Sequence, residues 1–357
     1  MDKQTATLRL LDSLVAKRKT PGLQYLHLSA NDIVFAHNCG FADPSARLRV
    51  ADRTTFNAYS VTKTITACAV LQLAEQGSVG LDSPIAYYLD GRLPSSDATV
   101  RQTLLHTAGF ANPNPLSWVH LANEHNGFDQ VRFVNGILRD YGRPVSTPGQ
   151  RYAYSNVGYL VLGELVATLT RGTYRQWVQD HMIASLGLQN GETLAFAIPD
   201  AREHACPTMG RFSVLNLLLG VFLDRGRLVE EMKGPWVLLR KHNVNGDAYG
   251  GLIGNAGGFA RYLQALLGTG DFLASNSRSL MFSASRAPGP PRGLGWFMGR
   301  LGNEPWFAHA GGGAGYYCEL RVYPKIHRAS VVMFNRTGIR DECILNGLDR
   351  FLVAEAR

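Results

Sequence analysis

Strand-like sequence stands at both ends of this 357-residue chain, and helix-like sequence fills the middle. That arrangement limits the fold more than any other feature. Near the start, LQYLHLS (23–29) and DIVFAHNCG (32–40) are rich in aromatic and aliphatic residues and are joined through Ala30 and Asn31, which predicts a hairpin. Near the end, LGWFMGRL (294–301), WFAHAGG (306–312), YYCELRVYP (316–324) and ASVVMFN (329–335) return to strand composition. Between them, helices are expected over 62–76, 99–106, 128–140, 156–170 and 173–185, punctuated by ANPNP (111–115) and STPGQ (146–150). Leu8, Leu11, Leu14 and Val15 set an amphipathic first helix, and a last helix is expected over 341–355. Strands this far apart must find partners in one another. The expectation is an α/β domain made from residues 1–60 and 230–357, with a mainly helical domain, 61–229, inserted between them. A cleft between two such units is a favoured place for a site. The length also suits two domains.

Composition excludes several classes. Hydrophobic residues make up 45%, enough for a sizeable core. The net charge is +8, but the 36 Lys and Arg are scattered, and the densest run is Lys17-Arg18-Lys19. That is a solvated surface rather than a nucleic-acid footprint. The five cysteines, Cys39, Cys68, Cys206, Cys318 and Cys343, are odd in number and widely spaced. They suggest neither a zinc site nor a disulfide framework, and reduced thiols point to the cytoplasm. The N-terminal segment lacks the pattern of a secretory signal. The most apolar window, VLNLLLGVFL (214–223), is too short to span a bilayer as a helix and reads as a buried helix or a lid over a pocket, with an interfacial membrane contact as the alternative.

Three short motifs carry chemistry. In NAYSVTKTITACAVLQLAEQG (57–77), Ser60 and Lys63 open an apolar helix. A spacing of three puts both on one face. A serine is a poor nucleophile unless a base takes its proton, and a lysine whose pKa is lowered by burial is such a base. Against this, S-x-x-K arises by chance about once in a chain this long, and Ser60 as a helix cap with Lys63 reaching solvent explains it equally. In YAYSNVGYLVLGELV (152–166), Tyr154 and Asn156 point the same way if the loop is extended. A tyrosine beside a lysine cation has its phenolate favoured, and an asparagine amide can hold a carbonyl or orient the lysine. The plainer alternative is a cap at Ser155 or Asn156 with a core tyrosine. In FAHAGGGAGYYCEL (307–320), His309 ends an apolar strand and glycines follow, allowing close approach of a substrate to the strand and an oxyanion hole shared with the Ser60 N–H. The alternative is a glycine-rich turn with a surface histidine.

Taken in this order, the motifs resemble the serine β-lactamases and penicillin-binding proteins, in particular the class C β-lactamase, D-aminopeptidase and family VIII esterase group. That family uses S-x-x-K, then Y-x-N, then K-T-G or H-x-G on a strand. LLHTAGF (104–110), GNAGGFARYLQALL (254–267) and GLGWFM (293–298) are similar to further family segments, so the resemblance runs over about residues 8–352. It implies a β-lactamase-like fold, an antiparallel sheet flanked by terminal helices with an inserted all-helical domain. It implies Ser60 as the acylated nucleophile, Lys63 as its proton partner and Tyr154 as the base. Asn156 would bind the substrate carbonyl, His309 and Gly311 would line the strand side, and Gly312 would give the second oxyanion N–H. No metal or organic cofactor is implied. His106 is expected to be structural.

The departure is His309-Ala310-Gly311 where β-lactamases have K-T-G. A fixed cation is replaced by a ring mostly neutral at pH 7. The expected activity is therefore hydrolysis of a small-molecule ester or amide, as by a carboxylesterase or a D-amino-acid amidase or peptidase. A true β-lactamase, an acyltransferase or a catalytically silent binding protein on the same scaffold are the alternatives. A cysteine hydrolase centred on Cys206 lacks a supporting pattern, and no G-x-S-x-G elbow exists for an α/β-hydrolase.

Overall fold

The computed structural model describes residues 3–89, 91–94, 96–113, 117–213, 225–337 and 342–353. The two ends of the chain meet in one antiparallel sheet. Its strands are β1 (Gly22–Ser29), β2 (Ile33–Asp43), β3 (Leu48–Arg49), β4 (Arg292–Gly293), β5 (Trp296–Leu301), β6 (Glu304–Gly313), β7 (Tyr316–Tyr323) and β8 (Arg328–Phe334). The order across the sheet is β4-β5-β6-β7-β8-β1-β2-β3. The seam between the chain ends is β1 against β8, from Leu23 opposite Phe334 to Ser29 opposite Arg328. The β1–β2 connection is three residues rather than two. Ser29 closes it, its Oγ accepting from the N–H groups of Asn31 and Asp32.

The near-continuous apolar runs of β1 and β8 have a simple cause: both faces of the sheet are covered. On one face lie α1 (Lys3–Ala16) and α8 (Glu342–Val353), packing Leu11, Leu345, Leu348 and Leu352 against Leu23, Tyr25, Val332 and Phe334. The alternate residues Leu26, Leu28, Val331 and Met333 turn to the other face, into the main core shared with the helical part. Each such fully buried aliphatic side chain contributes roughly 1.5–3 kcal/mol.

On that second side α7 (Ala256–Leu267) packs directly on β1 and β8, and the helical part comprises α2 (Thr62–Glu75), α3 (Val100–Leu104), α4 (Gln130–Tyr141), α5 (Asn156–Thr170) and the short α6 (Asp247–Gly250), which pack on one another. α2 and α5 are buried along nearly their whole length, which is why their sequences read as apolar without a polar stripe. Thr99 and Gln102 form a capping box at the start of α3.

Two differences from the sequence reading stand out. The middle segment also contains three short strands, Val119–Leu121, Leu194–Ala195 and Thr208–Gly210, each paired with sequence from the C-terminal part. Runs this short leave no period to detect. The helix expected over 173–185 is α-helical only over Tyr174–Trp177, widens into a π turn at Val178–Ile183, and ends as a 3-10 turn at Ala184–Leu186. There the His181 ring stacks on Trp177 and its Nδ1 lies 3.2 Å from the Trp177 carbonyl. The apolar window 214–223 lies outside the described residues. Among the described residues, no helix is long and apolar enough to cross a membrane. Cys39, Cys68, Cys206 and Cys318 are free thiols.

Candidate active site

Ser60 precedes α2 instead of opening it. It sits in a 3-10 turn, Tyr59–Val61, that runs straight into the helix. Tyr59 has φ +47°, a left-handed conformation uncommon for a non-glycine residue. Its hydroxyl lies 2.9 Å from His242 Nε2, which anchors the turn from below. Strain of this kind persists only where the surroundings over-determine it.

Lys63, on the first turn of α2, is completely buried. Its Nζ lies 2.9 Å from Ser60 Oγ and donates to the Tyr249 carbonyl in α6 at 2.9 Å. It is bordered by the rings of Tyr154, Tyr159 and Tyr249 at 5.0–5.5 Å. Lys63 makes no ion pair among the described residues, and burial alone pulls its pKa well below the ordinary lysine value.

Tyr154 lies in the extended segment before α5, and its hydroxyl oxygen is also 2.9 Å from Ser60 Oγ. Ser155 caps the helix through the N–H of Gly158. The capping explanation of this segment and the chemical one thus both apply, to different residues. Behind Tyr154 stands His106, at φ +57°. Its Nδ1 accepts from the Ser155 N–H at 3.1 Å, and its ring lies 4.3 Å from that of Tyr154. Burial holds His106 neutral, with the charge of Arg292 acting in the same direction.

The electrostatic balance differs from the phenolate expected beside a lysine cation. Burial pushes the Tyr154 hydroxyl up while pulling Lys63 down. A neutral amine with a neutral phenol holds as many protons as an ammonium with a phenolate. In a buried pocket without compensating charges the uncharged pair is favoured.

Asn156 is the first residue of α5 and is buried. Its backbone N–H donates to Asn112 Oδ1 at 3.0 Å, whereas its own Oδ1 is buried with no hydrogen-bond partner. An orphaned acceptor of this kind marks a position waiting for a donor.

The third motif lies on β6. β5 pairs with β6 only from Glu304 to Ala308, so from His309 onward that edge is open, and it packs against the Ser60 turn. Gly311 makes the approach possible: a Cβ there would press into the Ala58 carbonyl and come within 2.7 Å of the Ser60 nitrogen. Gly312 follows, opposite Tyr317 in β7. His309 is 2% exposed rather than a surface group, and its Nδ1 donates to the Gly295 carbonyl at 2.7 Å, leaving Nε2 as the acceptor nitrogen. Burial lowers its pKa to about 3, and any proton held by Lys63 acts in the same direction, against a raising contribution from the Gly295 bond. His309 is therefore uncharged at neutral pH.

Tyr249 was not legible in the sequence because it acts through its carbonyl, which every residue carries. Arg292 was also missed. It is buried, donates to the carbonyls of Leu105, Pro288 and Pro290, and lies over the Tyr152 ring, pinning the 288–291 loop at the cleft. Cys206 lies elsewhere, buried, with its thiol pushed up to about 12. That is the state of an inert structural cysteine. Among the described residues, one group of metal-ligating side chains converges, Asp12, His37 and Cys39, and β2, which carries two of them, is four strands from β6.

Fold and sequence together define the class. Residues 8–354 match the Beta-lactamase family model, and the chain belongs to that family, one of serine hydrolases. It is 22% identical over 200 residues to protein flp of Staphylococcus aureus (strain MW2), covering 53% of this chain and 38% of flp. It is 22% identical over 336 residues to penicillin-binding protein 4* of Bacillus subtilis (strain 168), covering 92% of this chain and 70% of that protein. The chain thus spans well under half of flp. Among solved structures, the octameric penicillin-binding protein homologue from Pyrococcus abyssi matches with a TM-score of 0.78 at 20% identity, over 98% of this chain and 77% of the other.

Proposed function

We propose that this protein hydrolyses a small-molecule ester or amide through an acyl intermediate on Ser60, in the cleft between the sheet-bearing part (1–60 and 230–357) and the helical part (61–229). The observation that carries the reading is the convergence of Lys63 and Tyr154 on one hydroxyl, each at 2.9 Å from Ser60 Oγ. Neutral Lys63 takes the Ser60 proton as Oγ attacks the carbonyl carbon. The proton passes through Tyr154 to the leaving group as the C–O or C–N bond breaks. Water then attacks the acyl carbon, giving its proton to the same pair, and Ser60 is released with its hydroxyl restored. The Ser60 and Gly312 N–H groups are proposed to hold the oxyanion, and Asn156 the substrate carbonyl or the Lys63 amine.

The uncharged His309 favours an ester or amide over a β-lactam, whose carboxylate would find no fixed cation at that strand. No step requires a metal or an organic cofactor. The free, largely buried thiols keep the cytoplasm as the proposed compartment.

The test is a panel of p-nitrophenyl esters, D-amino-acid amides and a chromogenic cephalosporin, run alongside labelling by a reactive phosphonate. Turnover of a neutral ester or amide with the label on Ser60 is expected. A label on another residue, or no label and no turnover, overturns the reading.

A further inference from the structure

A cavity of about 310 Å³ adjoins the cluster, and its lining includes Tyr154, Pro290, Phe297, Trp306, His309 and Glu319. Strand alternation shows how it is shaped. Trp306, Ala308 and Ala310 face away from His309, and Glu319 stands opposite Ala310 in β7. Both sets of residues line the cavity, so it wraps around the edge of β6 that β5 leaves open beyond Ala308.

The lining is unsuited to a carboxylate. Among the described residues it holds no fixed cation, and its one ionisable acid is Glu319. The Glu319 carboxylate is 1% exposed and accepts from Arg321 at 2.9 Å on Oε1 and from the Tyr317 hydroxyl at 2.8 Å on Oε2. Each carboxylate oxygen keeps capacity for a further donor. Arg321 does not line the cavity: it is fully buried, also donates to Asn346 of α8, and stacks on the Trp306 ring at 4.3 Å. A ligand entering the cavity meets the carboxylate before the guanidinium.

We infer that this cavity receives the leaving group of the substrate and selects a protonated amine or a neutral group over a carboxylate, with Glu319 as the anion that does so. The inference rests on the reading of Ser60 as the acylated residue. Tyr154, which that reading makes the proton donor to the leaving group, lines the same cavity.

Glu319 also gives the selection a pH dependence. Burial, and the charge of Asp349 in α8, push its carboxyl up, while Arg321 and Tyr317 pull it down, leaving it at about 7. Trp306, from β6, carries no charge, and His309 and Tyr154 in the lining are neutral. The carboxylate fraction therefore grows from pH 6 to pH 8, and the preference for an amine grows with it. A ratio of two substrates cancels the titration of Lys63.

The experiment compares kcat/KM for three acetate esters with one acyl group and different leaving phenols: 4-(aminomethyl)phenyl, 4-ethylphenyl and 4-(carboxymethyl)phenyl. The aminomethyl ester is expected to exceed the carboxymethyl ester by about tenfold or more at pH 8 and by less at pH 6, since hydrogen bonds to charged groups are worth factors of this size. Glu319→Gln should move that ratio towards one. Should that variant fail to fold, inhibition of the wild type decides: benzylamine is expected to compete with the ethylphenyl ester more strongly than phenylacetate does. If the ethylphenyl ester is turned over with Ser60 labelled, yet amine and carboxylate esters are equal or the carboxylate is preferred, the subsite inference is overturned while the hydrolase reading stands. If the ethylphenyl ester is inert and Ser60 unlabelled, the underlying reading falls and this one with it.

Discussion

The side-chain nitrogen of Lys63 lies 2.9 Å from the hydroxyl oxygen of Ser60, and its other bond goes to a backbone carbonyl rather than to a carboxylate. A completely buried lysine without an anion beside it loses its charge in preference to keeping it. Burial thus strips the charging proton from Lys63 and leaves a free amine lone pair beside the Ser60 hydroxyl, where it can act as a base.

Ser60→Ala is expected to abolish the acyl adduct in intact-mass spectra and to lower kcat/KM by about four orders of magnitude or more on every substrate. An adduct of unchanged mass on the variant would assign the nucleophile to another residue.

Lys63→Arg introduces a permanent cation that cannot take up the Ser60 proton, and is expected to cost at least about a hundredfold in kcat, as is Tyr154→Phe. Because both act on one hydroxyl, the double variant should lose far less than the product of the single losses. Steady-state kinetics of the three variants read this directly, and multiplicative losses would mean two independent roles.

Gly311→Ala is expected to lose about a hundredfold in kcat and, because the new Cβ meets backbone rather than a yielding side chain, to lower stability by about 1–3 kcal/mol. The added methyl would displace the Ala58–Ser60 backbone and so the nucleophile. Thermal melting beside kcat separates the two effects.

The pH dependence follows from two lowered pKa values. Lys63 must be neutral to act as base, so kcat/KM on a neutral ester should rise with pH along one limb centred well below the ordinary lysine value of 10.5. His309 is at about 3 in the folded chain and about 6.5 when unfolded. Between these values the unfolded chain binds the extra proton, so the stability contributed by neutral His309 is whole above about 6.5 and is lost as pH falls through the window, about 2 kcal/mol by pH 5. Denaturant unfolding from pH 7 to 5 should therefore show a shallower loss in His309→Gln than in the wild type.

Arg175 donates two hydrogen bonds to the carboxylate of Asp247, at 2.9 and 3.0 Å, and so fixes the first residue of α6, the helix whose Tyr249 carbonyl holds Lys63. Asp247 is buried, and burial raises its pKa against the pull of Arg175. Arg175→Ala leaves that carboxylate unpaired and is expected to cost roughly 3–5 kcal/mol in urea unfolding. Arg175→Ala/Asp247→Asn should recover part of it.

The sequence alone determined most of the longer elements and narrowed the chemistry to be looked for. The run 156–170 was read as a helix and is one to the residue; β1 and β6–β8 lie within two residues of their reading. Apolar period and β-branched composition are local, so they survive without knowledge of the partner strand or helix. S-x-x-K and Y-x-N were legible because side-chain type and spacing already limit what chemistry is possible. Only the tertiary structure decided how these pieces meet. Ser60 and Tyr154 are 94 residues apart, and the Lys63 bond to Tyr249 spans 186. No local pattern encodes which carbonyl faces a lysine, which histidine is buried, or which way a proton balance tips. Those properties arise from desolvation by residues brought in from elsewhere in the chain: His309, neutral behind Gly295 and Phe297, differs from a surface histidine only in its surroundings.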